Sequence, residues 1–185
     1  PATWLHHQQR DAYWQHGSVC EDYSAITAAT LAVGGWGDSY KNAIPKLVGN
    51  LSAPVKGIVG PWVHKYPHFA VPEPRIGFLQ EALRWWDKWL KGIETGVEND
   101  PAYSVYLMDG VRPKTWYESR AGRWINEHDW PQGPTQKSIF FGQENTLKTE
   151  PSQINDILSS PQTCGMSSGE YCAIWLGPEM PGDQR

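Results

Sequence analysis

Residues Leu31–Tyr40 read LAVGGWGDSY, and this stretch decides the fold. Ala28, Ala29, Leu31, Ala32 and Val33 make a short apolar run closed by Gly34-Gly35, as expected of a buried strand. A tryptophan, a third glycine and a lone acid, Asp38, follow. An acid just past the end of a buried strand is either a turn former or part of a site. What lies a helix and a strand further on decides between the two.

Working outward, SYKNAIPKLVGN (39–50) predicts a short helix that Pro45 breaks or delays and Gly49-Asn50 stops. PVKGIVGPW (54–62) predicts a second short strand, with Val55, Ile58 and Val59 buried and Gly60-Pro61 ending it. Strand, helix and strand at this spacing form a βαβ unit with parallel strands. Both strands then end at the same edge of the sheet, where open α/β sheets place their ligand sites. Asp38 lies just past the first strand end. His64, in GPWVHKYPH (60–68), lies just past the second.

The strongest helical pattern is RIGFLQEALRWWDKWLKG (75–92). Leu79, Ala82, Leu83, Trp86, Trp89 and Leu90 define one apolar stripe, Lys88 and Lys91 suit the last turn, and Gly92 is a natural stop. A helix covering the sheet is expected here. The texture then changes in GIETGVENDPA (92–102), which places a boundary at residues 94–102. Beyond it the period shifts toward two in YSVYLMDG, RWINEHDW, KSIFFG, NTLKT and YCAIWLG, as at the start of a β-sandwich. Residues 1–27 are irregular, polar and aromatic, with room for one short helix.

Composition limits the functional classes. The chain has 185 residues, a hydrophobic fraction of 39% and a net charge of −4, which describe a globular protein without an electrostatic reason to bind nucleic acid or an anionic membrane. No stretch approaches the roughly 18 apolar residues of a membrane span. Cys20, Cys164 and Cys172 make a poor disulfide framework; Cys164 and Cys172 either pair or stay as free thiols, and the compartment stays open. His6, His7, His16 and Cys20 match no familiar metal-ligand spacing, so neither a metal nor another cofactor is expected. Eleven tryptophans are an unusual number; they are read either as large packing residues or as a ligand-stacking surface.

Asp38 and His64 are the candidate acid and base. A histidine acting as general base needs a carboxylate on its other ring nitrogen, to fix the tautomer and stabilise the imidazolium. The plain alternative is that Asp38 is a turn residue and His64 satisfies a hydrogen bond at the rim of the core. The nucleophile is missing: no Gly-x-Ser-x-Gly precedes Asp38. The one literal match, Gly165-Met166-Ser167-Ser168-Gly169, has polar turn residues before it and a strand-like run after it, so it reads as a loop.

VGGWGDSY, GPWVHKYPH, RWWDKWLKGIETGV and PAYSVYLMDG, in this order, resemble the cocaine-esterase and X-Pro dipeptidyl-peptidase family of serine hydrolases. DAYWQHGS, RWINEHDWP and GPEMPGDQR extend the likeness more weakly. The resemblance implies an α/β fold: the C-terminal part of an α/β-hydrolase domain at 28–93, after a return from the cap at 1–27. A linker at 94–102 and the first part of a jelly-roll β-sandwich at 103–185 would follow. It implies that Asp38 is the triad acid, His64 the base, and Tyr40 a wall of the acyl pocket. The substrate would be a small acyl ester or a peptide cleaved after X-Pro. The serine and the oxyanion-hole donors of the family pattern are absent, which implies a section of a longer protein, inactive by itself. Two rivals stand beside it. A tryptophan-rich β-sandwich binding a glycan or a protein predicts tryptophans lined up on one exposed face and no contact between Asp38 and His64. A hydrolase-derived scaffold keeps the contact without a serine. A homo-oligomer is left open.

Overall fold

The computed structural model describes residues 1–112, 117–131 and 137–155. Two short helices, α1 (Ala2–His6) and α2 (Ala12–His16), come first and bury no residue. The side chain of Asp11 caps α2 by accepting from the Tyr13 N–H at 3.0 Å. The expected βαβ unit follows as β1 (Thr30–Gly37), α3 (Ala43–Asn50) and β2 (Val55–Val63). Pro45 falls in the first turn of α3, where its missing N–H costs nothing, so the helix starts late and is not broken. β1 and β2 pair in parallel from Thr30↔Val55 to Gly37↔Val63.

The sheet continues past the expected boundary. β3 (Tyr103–Met108) pairs in parallel with β2, and β4 (Gly122–Glu127) pairs antiparallel with β3, giving one sheet in the order β1-β2-β3-β4. Residues 103–108 and 122–127 therefore extend the same sheet as the βαβ unit, across the expected boundary. The reason is burial. Tyr103 joins Ala32, Ile44, Val48 and Val59 in the core between the sheet and α3. The period of two reads equally well as an added sheet strand, so the sequence alone did not distinguish them. A short ladder of β5 (Phe140–Gly142) and β6 (Thr146–Lys148) stands apart. The expected strand YCAIWLG, the Gly165–Gly169 motif, and both Cys164 and Cys172 lie outside the described residues.

The opposite face of the sheet carries Ile58, Trp62 and Ala70, packed with Leu31, Val33, Ile76 and Trp124. The last helix, α4 (Phe78–Lys91), lies on this side and ends at Gly92, whose φ of 69° is the left-handed cap that glycine adopts without strain. Its rotation differs from the expected one. Ala82 and Trp85 are buried, whereas Leu79, Leu83, Trp86 and Leu90 stay exposed. An ion cluster sets this rotation. The buried ammonium of Lys56, at the start of β2, donates to Glu81 at 2.9 Å and to Asp100 at 2.5 Å. Arg84 holds both carboxylate oxygens of Asp100, at 3.0 and 3.1 Å. A lysine buried this deeply needs its carboxylates, and that requirement turns the Glu81 and Arg84 side of α4 inward. The apolar stripe is displaced toward the open side.

Candidate active site

Two glycines of the opening stretch, Gly35 and Gly37, let β1 and β2 come closer than side chains permit. β1 and β2 stay in register to Gly35↔Gly60, and then β2 carries one extra residue before Gly37↔Val63. This bulge turns the end of β2. A Cβ at Gly35 would lie 2.1 Å from the carbonyl oxygen of Trp62, and one at Gly60 would lie 2.5 Å from the Trp62 ring. Gly34 faces α3, where a Cβ would meet Ile44 at 2.9 Å. The Trp62 indole is buried and donates to the Pro74 carbonyl at 2.7 Å, while Trp36 donates to the Tyr106 carbonyl at 2.7 Å. Both strand ends are thereby fixed from two sides.

Asp38 and His64 emerge from these ends and meet. His64 Nδ1 lies 2.6 Å from Asp38 Oδ2. An ionised carboxylate only accepts, so Nδ1 carries the proton in this pair and Nε2 is the free ring nitrogen. The other oxygen, Oδ1, accepts from the Tyr40 N–H at 2.8 Å, and the Asp38 N–H donates to the Gly35 carbonyl at 3.1 Å. Asp38 is both turn former and histidine holder, one oxygen to each role. Its side chain is 10% exposed and that of His64 is 47% exposed. The acid is buried and the base is open.

The pair sits on a cleft of about 770 Å³ between the upper face of the sheet and α4. Leu31, Val33 and Trp62 form its floor, and Tyr66, Phe69 and Phe78 stand beside His64. Tyr40, the expected wall of the acyl pocket, has its ring centroid 6.5 Å from that of His64 and is largely exposed. It lines a smaller depression of about 390 Å³ shared with Cys20 and Tyr23 instead of the main cleft. Two of the aromatic residues that do line the cleft, Tyr66 and Phe69, follow His64 in HKYPHF (64–69), a signal legible in the sequence but not singled out there.

Among the described residues no group of three or more His, Cys, Asp or Glu could hold a metal ion. Among the described residues, Trp62 and Trp85 are buried and Trp4, Trp86 and Trp130 are exposed, while Trp62, Trp85, Trp86 and Trp89 line the cleft. The Asp38–His64 contact is the one that the binding-module reading expected to be absent.

Residues 1–66 match the family described as X-Pro dipeptidyl-peptidase (S15 family). This stretch of the chain is similar to the S15 family, and the match supports a family of that type. Both Asp38 and His64 lie inside it. Two relatives, from Mycobacterium bovis and Mycobacterium tuberculosis, carry the provisional name serine esterase. Each is 26% identical over 145 residues, which take up 75% of this chain and 20% of the relative. The chain spans about a fifth of the length of the curated relatives it matches. The likeness to this family first seen in the short motifs thus has independent support, and it is of hydrolase type.

Proposed function

We propose that this chain supplies the acid–base half of a serine hydrolase site, with His64 as general base and Asp38 as the carboxylate that orients it. The observation that carries this reading is the 2.6 Å contact from Asp38 Oδ2 to His64 Nδ1 at the ends of adjacent parallel strands. With Nδ1–H held by Asp38, Nε2 faces the proton it must move. Nε2 takes the proton of a serine hydroxyl as the serine oxygen bonds to the substrate's carbonyl carbon. It then gives that proton to the departing alcohol or amine. In the second half, Nε2 takes a proton from water as the water oxygen bonds to the acyl carbon; the acyl–serine bond then breaks, the acid leaves, and the proton returns to the serine oxygen. Asp38 stays ionised throughout and stabilises the imidazolium.

The serine and the oxyanion donors of this reading come from polypeptide beyond this sequence. The S15 match and the serine esterase names of the relatives support an ester or amide as substrate, with the bond after an X-Pro dipeptide among the candidates. The cleft is mainly apolar along the sheet and α4, which suits the side chain of an acyl group more than a charged one.

The experiment is to assay the longer protein that contains this stretch, and this chain by itself, with p-nitrophenyl acetate and with an X-Pro p-nitroanilide. Turnover by the longer protein, lost in His64→Ala and strongly reduced in Asp38→Asn, is expected, with none from this chain. Turnover by this chain that disappears in Ser167→Ala would overturn the assignment of the serine. Full activity of His64→Ala in the longer protein would overturn the role of the base.

A further inference from the structure

We propose that Tyr66, Phe69 and Phe78 form a binding shelf for a planar aromatic ring carried by the substrate, adjoining the reacting groups; this rests on the reading of His64 as the base. The three side chains line the same cleft as Asp38 and His64. Tyr66 and Phe78 are stacked at 5.9 Å, and Tyr66 meets Phe69 at 6.0 Å edge to face. His68 backs the group, parallel to Phe78 at 6.1 Å and perpendicular to Phe69 at 4.7 Å. The rings support one another in the offset and T-shaped geometries that aromatic groups prefer.

Two observations separate this group from ordinary packing. Tyr66 is 63% exposed and Phe69 50% exposed, so their faces are turned outward, not into the core. The segment bearing them is nevertheless anchored. Val63 N–H donates to the Val71 carbonyl at 2.9 Å, Phe69 N–H to the Tyr66 carbonyl at 3.1 Å, and Arg75 Nε to the Ala70 carbonyl at 3.1 Å. Pro67 and Ala70 are buried beneath it. Exposed rings on a fixed backbone, two and five residues past the base, are a preorganised surface that loses little freedom on binding. Their chemistry selects the ligand. The three rings are flat and uncharged, with one phenol, and Lys65, which also lines the cleft, disfavours a cationic group. A linear chain fills such a shelf poorly, whereas a ring stacks on it.

The test is a titration of this chain with benzyl alcohol, and separately with 1-hexanol, followed by NMR of the aromatic side chains. Benzyl alcohol is expected to shift the ring signals of Tyr66, Phe69 and Phe78 together, and 1-hexanol to bind more weakly. Tyr66→Leu and Phe69→Leu keep an apolar surface at exposed positions and should each weaken benzyl alcohol binding about three- to tenfold. Phe141→Leu, an exposed ring on β5, should leave it unchanged. Equal binding of the two alcohols, or unchanged affinity in both leucine variants, overturns the shelf. The same samples report the His64 Nδ1–H resonance, which Asp38→Ala should abolish. That signal present with no ring binding sinks the shelf alone. Its absence with ring binding intact sinks the acid–base reading alone.

Discussion

The carbonyl of Trp62 presses against the backbone of Gly35 so closely that a Cβ there would lie 2.1 Å from the oxygen. The conflicting atom is backbone and cannot turn aside, so any side chain must push β1 and β2 apart at the bulge. Gly35→Ala is expected to destabilise the protein by about 3 kcal/mol or more. Gly110→Ala, where nothing lies within 4 Å, should change stability by less than about 0.5 kcal/mol. Urea unfolding of the two variants checks this, and equal midpoints would show that the close approach is not required.

Asp38 divides its two oxygens between the Tyr40 N–H and His64 Nδ1, and one substitution separates these duties. Asp38→Asn keeps an oxygen for the turn but offers the histidine an amide in place of a carboxylate. Fold and thermal midpoint should be nearly unchanged, while kcat in the longer protein falls by about 10⁴, the size of the same change in a Ser-His-Asp triad. A drop of less than tenfold would leave Asp38 as a turn residue only.

The ion cluster that sets α4 makes stability depend on acid. Burial raises the Asp100 carboxyl, but hydrogen bonds from Arg84 and Lys56 outweigh it and hold the group below its ordinary value. A folded-state value lower than the unfolded one gives stability that is complete above the unfolded value and lost as the pH falls through the folded one. Denaturant unfolding should therefore show stability declining below about pH 4. Asp100→Asn should flatten that decline. It should also cost about 3 kcal/mol at neutral pH, toward the lower end for a broken buried pair because the carboxylate is partly exposed. The same slope in wild type and variant would assign the acid sensitivity elsewhere.

The βαβ unit and the Asp38–His64 pair were legible because each rests on local signals: apolar runs, glycine stops, and polar residues just past strand ends. The rotation of α4 was not. Counting apolar residues favoured a face through Leu83 and Trp86, but Lys56, more than twenty residues upstream, needs Glu81 and Asp100 and turns another face inward. Nothing in the helix itself announces that partner. The shelf of Tyr66, Phe69 and Phe78 was half legible: two of its rings follow His64 in sequence, while Phe78 comes from α4 and is brought in only by the fold.

Residues 103–127 complete the sheet that carries the βαβ unit. If they began an independent sandwich, residues 1–102 would fold without them. In the structure β3 pairs with β2, and the ring of Tyr103 and a methyl group of Val48 close over Gly57, where a Cβ would meet them at 3.0 and 2.4 Å. Burial also raises the Tyr103 phenol above its ordinary value, as expected of a side chain inside the core. Truncation after Ala102 should therefore expose the edge of β2 and the core beneath it, giving a chain that lacks a cooperative unfolding transition. Tyr103→Ala in the full sequence should cost about 3 kcal/mol. Circular dichroism melts of both proteins decide it. A cooperative transition in the 1–102 protein, with a midpoint close to that of the full chain, would restore the boundary at 94–102.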